Sequence, residues 1–442
     1  MNLIFVFVIV CFLLNLNAPA DVSSANKLLL CTEFIGVLVT GKLIVDSLLK
    51  ILSYQFRKKM YGAFLGFFAI CLLYLYVCWT PYLSPNGNAD WGFDPQRYYE
   101  YASSIIQGDG IDFTLNYMGI VSVYTVLMGI FGIDPLVPLY INVILVLVVV
   151  CILTKTLYLQ YGKTGVYRYA YLFMFLPEVI FYSCISSREI FCMVLVTLCC
   201  NIAATKDIKS TKNIISLILL IIATFYIRPH FAFAAIAAIL LASIRNKAYA
   251  SIGMIVIFLV AVAVFGDLET SSESMVGMED MSQKFSDKIE GENEASENFN
   301  YNTNSLARAL IPSNPVQFVV FGFIRSLLYL IPRSSPISVL STAFDRPYYF
   351  SLVFAWISSF IIMLSIPALL YFFKKGTKKD SLFRSYFIYF VFFLLFIGML
   401  NTTLIQERYR LVYDLCWMMT WLLALQYKKN KEIERYKYSR KL

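Results

Sequence analysis

Four short stretches carry side chains able to hold an anion or move a proton. They read DWGFDPQRYYEYA over 90–102, YSCISSREIF over 182–191, YIRPHF over 226–231 and NTTLIQERYR over 401–410. Their guanidiniums, on Arg188, Arg228, Arg408 and Arg410, are permanently charged rigid forks suited to the paired oxygens of a phosphate. Arg325 and Arg333 add two more in the segment before 348. The carboxylates beside them, Asp90, Asp94, Glu189 and Glu407, can hold such arginines in place or act as a general base. His230 is the single histidine, so a site of several histidines is excluded, and no metal or cofactor is expected. Each residue also has a plainer use. An arginine at the end of an apolar run snorkels to headgroups, Arg410 and Asp414 at i, i+4 can pair on one helix face, His230 follows a proline at a run's end, and Asp90 lies in an Asn/Gly-rich turn.

The elements that position these stretches are apolar. The chain of 442 residues is 59% hydrophobic and 15% charged, with mean hydropathy +0.68, against about 25% charged in an ordinary soluble domain. Apolar runs long enough to cross a bilayer as helices recur along its length, and the alternating segments of a membrane β-barrel are absent. The expected class is therefore all-α and polytopic. Seven of the ten cysteines fall within apolar runs and none forms a C-x-x-C pair, which argues against zinc sites and disulfide frameworks. Residues 3–14 resemble a signal peptide but lack a basic flank, so they read as an uncleaved first span.

Charge sets the orientation. Segment 267–312 holds ten acidic residues against three basic ones, while the basic remainder falls in short loops between spans. That pattern indicates sidedness, not nucleic-acid binding. With the loops around Arg57–Lys59, Lys155–Arg168, Lys206–Lys212, Arg245–Lys247, Lys374–Arg384 and the tail from Lys428 all on the cytoplasmic side, spans fall near 3–16, 28–49, 62–81, 136–158, 166–184, 189–205, 213–227, 231–244, 249–266, 349–373, 383–402 and 408–427. Both termini are then inside. Segment 115–132 must not cross alone, and it reads, like 315–331, as a helix on or dipping into the outer surface. Asp94-Pro95 reads as a helix start, with Asp94 as the cap and Tyr98, Tyr101, Ala102 and Ile105 on one face. The parts are an N-terminal hairpin over 1–60, a membrane core over 61–266 with an outer loop at 82–135, a large acidic outer loop over 267–348, and C-terminal helices with a basic tail over 349–442. All four chemistry-bearing stretches then share the outer face.

The chain at this point resembles the GT-C superfamily of membrane glycosyltransferases. DPQRYYEYA (94–102) resembles the family's acidic first-loop motif, and LMGIFGIDPLVPLYINVIL (127–145) the interfacial helix and Phe-Gly turn that follow it. LPEVIFYSCISSREIFCMVLV (176–196) resembles the next outer turn, and NTTLIQERYRLVYDLCWMM (401–419) the C-terminal Arg-Tyr-Arg motif. The family's adjacent acidic pair is here Asp94-Pro95, so Asp94 and Asp90 both remain candidates for the acid, and the second-turn acid is Glu189 where Asp is commoner. In architecture the likeness is to bacterial O-antigen and capsular polysaccharide polymerases of the Wzy type.

That resemblance implies glycosyl transfer at the outer face of a bacterial inner membrane. The donor would be a glycan on undecaprenyl phosphate or diphosphate and the acceptor a sugar hydroxyl. Asp94, Asp90 and Glu189 would be the catalytic carboxylates. Arg188, Arg228, His230, Arg325, Arg333, Glu407, Arg408 and Arg410 would bind phosphate and sugar. A chain-length regulator and a flippase of the same pathway are the implied protein partners. Within the family, a transferase moving a single sugar from a polyprenyl phosphate is the alternative. A transporter or flippase is the rival of another class, and would need mid-membrane charges and an internal repeat. No repeat is visible, and the clearest mid-span charges are Glu33, Lys42 and Asp46.

Overall fold

The computed structural model describes residues 24–75, 93–109, 115–134, 136–162, 165–205, 210–242 and 410–439, with scattered positions between 317 and 391. Among them all regular structure is helical, as the apolar runs predict. The helices are α1 (Ser24–Leu48), α2 (Tyr54–Tyr74), α3 (Phe93–Gln107), α4 (Leu115–Phe131), α5 (Leu136–Tyr161), a 3₁₀ segment (Val166–Phe175), α6 (Pro177–Ser183), α7 (Arg188–Thr205), α8 (Thr211–Ile227), α9 (Pro229–Ala242) and α10 (Arg410–Ser439). Among the described residues α5 and α7 are long and apolar enough to cross a membrane. Expected spans 3–16 and 249–266 lie outside the described residues, as do most of 349–373 and 383–402 and nearly all of the 267–348 loop.

Helix α5 is the axis of the bundle. It packs against α1, the 3₁₀ segment, α6 and α7, and buries Val143, Val146, Leu147, Val150 and Leu157 among them. The apolar residues run all round this helix, the pattern of a helix covered on every side. α1 and α2 form a hairpin, with the Tyr61 hydroxyl donating to the Leu38 carbonyl at 3.1 Å, while the first half of the hairpin expected over 1–60 lies outside the described residues. α7 receives α8, α9 and α10 on its other flank, and Asn201 of α7 donates to the Tyr386 hydroxyl at 3.2 Å.

Two expectations are revised. Segment 166–184, expected as one membrane helix, is a ten-residue 3₁₀ run followed by the short α6. Gly165 opens it with φ 70°, a left-handed conformation that glycine adopts without cost. Leu176 closes it in extended conformation because Pro177 follows and disfavours the helical region for its predecessor. A 3₁₀ turn rises about 2.0 Å per residue against 1.5 Å in an α-helix, so the two pieces together still cover roughly 30 Å. Helix α3 starts at Phe93, which puts Asp94 inside its first turn and not at the cap.

Contacts fix which ends of the helices lie together. The start of α5 meets the 182–185 turn through Asn142, and its end meets the start of the 3₁₀ segment through Tyr158 and Tyr167, 5.1 Å between ring centroids. Phe56 at the start of α2 packs on the same Tyr167 at 5.3 Å, and Lys429 of α10 lies over Tyr169 at 5.2 Å. The bundle therefore has one end built from the 182–188 turn and the starts of α5 and α7. The opposite end holds the starts of α2 and the 3₁₀ segment and the basic half of α10. Asp46 and Arg57 join at this second end.

Candidate functional site: a buried arginine–glutamate cluster

The 182–187 turn is tied to four helices, two of which send side chains to it and two of which receive side chains from it. Asn142 of α5 donates to the carbonyl of Ile185 at 2.7 Å and reaches those of Tyr182 and Ser183 at 3.4 Å. The Tyr124 hydroxyl of α4 donates to the Ser187 carbonyl at 3.3 Å. The Cys184 thiol donates to the Cys71 carbonyl of α2 at 3.3 Å. Ser186 donates to the carbonyl of Pro95 in the first turn of α3. A turn buried this deeply must have its carbonyls paired, and Asn142 and Tyr124 supply that pairing at Tyr182, Ser183, Ile185 and Ser187.

Held on this turn, Arg188 and Glu189 begin α7 and are buried, at 1% and 3% exposure. Arg228 meets them from the junction of α8 and α9. It stands before Pro229, which drives it out of the helical region, to φ −160° and ψ 104°. Its amide still closes the last turn of α8 on Thr224, while its guanidinium nitrogen lies 2.7 Å from Glu189 Oε1. Arg188 Nε lies 3.8 Å from the same oxygen, and Ser187 donates to Glu189 Oε2 at 3.0 Å. Arg228 is also 1% exposed. Its guanidinium stands 5.8 Å from the Phe231 ring, and that of Arg188 stands 5.4 Å from the Tyr98 ring of α3.

Removing one partner from such a buried pair costs about 3–5 kcal/mol, because the charge left behind has lost its water as well. The acid also lies in the first turn of α7, where the helix dipole favours negative charge. Within the contacts the structure gives, one carboxylate serves two guanidiniums at the start of a helix.

Helices α3 and α4 cover the cluster. They pack along each other, with Tyr98 and Tyr101 of α3 against Tyr117 at 5.4 and 6.2 Å. Gly119 permits the approach of α4 to α8, since a Cβ there would collide with the Tyr226 carbonyl. Ser122 and Tyr226 share a hydrogen bond beside it at 3.1 Å. At the end of α4, Asp134 accepts from the Leu136 amide at 2.7 Å and starts α5. Burial pushes its carboxyl above the ordinary aspartate range, an effect that this hydrogen bond partly offsets.

Of the residues expected to act, Arg188, Glu189 and Arg228 come together. Asp94 lies in the first turn of α3, adjacent to the carbonyl that Ser186 holds, although its side chain is outside the description. The same is true of His230, in the first turn of α9, and of Arg410, the first residue of α10. Lys429 anchors the far half of α10 at the opposite end of the bundle, so the start of α10 points toward the cluster's end. Asp90, Arg325, Arg333, Glu407 and Arg408 lie outside the described residues. Asp414 is 3% exposed within α10.

Sequence reading missed Asn142, Tyr124, Asp134 and the fully buried Glu178. Asn142 did leave a signal: it is the lone amide in the apolar run LYINVILVLVVV, and a polar residue within a membrane-type run is a functional candidate by default. Glu33, Lys42 and Asp46 sort by position. Lys42 and Arg57 both pair with Asp46, at 2.8 and 3.2 Å. Glu33 faces Asp134 electrostatically at the other end. Among the described residues no trio of metal-ligating side chains comes together. No protein-family model, curated protein or solved structure matches the chain.

Proposed function

We propose that the chain is a multi-pass enzyme of a bacterial inner membrane, with about twelve spans and both termini cytoplasmic. It joins undecaprenyl diphosphate-linked repeat units into O-antigen or capsular polysaccharide at the periplasmic face. The observation that carries this reading is the buried Arg188–Glu189–Arg228 cluster, tied through Ser186 to the turn that bears Asp94. An acid on one element and guanidiniums on two others, held in register by hydrogen bonds and an ion pair, are the parts that displacement of a phosphate leaving group requires.

In the proposed reaction the acceptor sugar hydroxyl attacks the anomeric carbon of the donor glycan. The bond from that carbon to the diphosphate oxygen breaks, and the hydroxyl proton passes to the Asp94 carboxylate. The displaced lipid diphosphate gains negative charge as the bond breaks, and guanidiniums already fixed in a dry site stabilise that charge without reorganising. Arg188 and Arg228 supply them, joined by Arg410 at the start of α10 and by Arg408 two residues before it in sequence. Glu189 acts as the strut that keeps both buried arginines aimed, since Arg228 and Ser187 already engage its two oxygens.

The test is the surface glycan of a deletion strain complemented with variants of confirmed expression. A strain lacking the gene should carry single-repeat products, and Asp94→Asn and Arg228→Lys should fail to restore polymer. Full-length polymer from both variants overturns the reading. A glycan altered by one sugar residue at normal length points instead to single-sugar transfer.

A further inference from the structure

The end of the bundle away from the cluster carries a second arrangement of cations. Helix α2 opens with Arg57, Lys58 and Lys59, the last two exposed. Its Phe56 packs on Tyr167, which brings that run beside Arg168 at the start of the 3₁₀ segment. From the other side α10 supplies Lys429, over the Tyr169 ring. Neither α2 nor the 3₁₀ segment contains an acidic residue, and Asp46 is engaged by Lys42 and Arg57. The exposed Glu432 is the acid of α10 whose side chain is described near this end.

The shape of the patch narrows its partner. Residues i and i+3 eclipse in a 3₁₀ helix, so Tyr169 and Leu172, 42% and 37% exposed, stand in one line along the segment. Arg168, the residue before Tyr169, stands about a third of a turn round from that line, its guanidinium 5.8 Å from the Tyr167 ring and its Nε donating to the Tyr167 hydroxyl at 3.5 Å. An exposed guanidinium and the ammonium over Tyr169 therefore flank the start of an aromatic and aliphatic stripe. Tyrosine at this boundary is the usual interfacial anchor, and clustered Lys/Arg beside membrane helices attract anionic headgroups.

We propose that the junction of the 3₁₀ segment and α10 binds an anionic phospholipid. Arg168 and Lys429 hold its phosphodiester, Lys58 and Lys59 reinforce the field, and an acyl chain lies along Tyr169 and Leu172. The proposal rests on the membrane reading but on none of the glycosyl-transfer chemistry. Carbonate washing of membranes tests that premise separately: release of the chain removes the membrane reading itself.

The site is tested on the full-length protein, purified in nonionic detergent and examined by native mass spectrometry and thermal unfolding with added lipid. Phosphatidylglycerol should be retained over phosphatidylcholine and should raise the unfolding temperature, while inorganic phosphate leaves it unchanged. The double variant Arg168→Gln/Lys429→Gln should lose about tenfold in phosphatidylglycerol retention. Arg168→Lys, which keeps the charge without the fork, should lose less and serves as the folding control. Equal retention of phosphatidylcholine overturns the proposal, as does an equal effect of inorganic phosphate or unchanged retention in the double variant.

Discussion

Two ionic triads of the same make-up sit at opposite ends of this bundle, each with two cations sharing one carboxylate. In one, Lys42, Asp46 and Arg57 pair with side chains 57%, 36% and 23% exposed. In the other, Arg188, Glu189 and Arg228 pair at 2%, 4% and 2%. The exposed triad is local, with Lys42 one helical turn from Asp46 and Arg57 just across a hairpin. The buried triad joins α7 to the α8–α9 junction, and four further elements hold the turn that carries it. Exposed pairs contribute little, because water and salt screen them and long side chains lose entropy on pairing. A buried pair couples every element that holds its members, so geometry there is enforced by the penalty of getting it wrong.

Glu189→Ala should produce the largest effect, since it removes the carboxylate that two buried guanidiniums share. A loss of about 3–5 kcal/mol is expected, read as a large drop in thermal midpoint in detergent and loss of polymer in the complemented strain. Glu189→Gln should recover part of the stability but not the activity. A midpoint for Glu189→Ala close to wild type would erase the contrast between the triads.

Asn142→Leu comes next. It leaves the Ile185 carbonyl without its donor inside the bundle, at about 1–3 kcal/mol for a buried unsatisfied group. The readout is the same midpoint together with faster proteolysis at the 182–187 turn. Gly119→Val should follow, because the added atoms have no room against the Tyr226 carbonyl. Part of α4 must lift off α8, and a cysteine-accessibility probe at Arg188→Cys should react faster in that background.

Asp134 gives a smaller and pH-dependent effect. Its native carboxyl is raised above 3.8, so the folded state holds its proton more tightly than the unfolded chain does. Its contribution to stability is fully present below that ordinary value and is lost as pH rises through the native one. Asp134→Asn keeps an oxygen to accept from Leu136 and should flatten that part of the stability–pH curve. Asp46→Asn, in the exposed triad, should come last, with no measurable change in midpoint at moderate salt. A large effect there would mean that the exposed triad also carries structural coupling.

The two triads also differ in how well the sequence discloses them. The i, i+4 spacing of Lys42 and Asp46 is a local pattern, yet charge inside an apolar run suggested a mid-membrane location, when their partner Arg57 lies at the hairpin's end. Loop charge led to the expectation that Arg188, Glu189 and Arg228 share one face, because sidedness is a sum over many lysines and arginines, and the structure brings the three together. Their pairing was not legible, since it depends on where Pro229 turns the chain and how far α4 can approach α8. Helix existence followed from apolar length for most elements and, for α3, from the Asp94-Pro95 start and the spacing of Tyr98, Tyr101, Ala102 and Ile105. The 3₁₀ geometry of 166–175 did not, because nothing in its periodicity separates three residues per turn from 3.6.

That stretched segment also gives the molecule a reserve of length. Ten residues occupy about 20 Å as 3₁₀ helix and about 15 Å as α-helix. Rewinding would draw α6 toward the basic end by about 5 Å, close to one α-helical pitch. The turn bearing Arg188 and Glu189 hangs from the upper end of α6, and the 3₁₀ segment below α6 begins beside Arg168 and Lys429. A change of helical winding between them would thus act as a mechanical rod joining the two faces of the molecule.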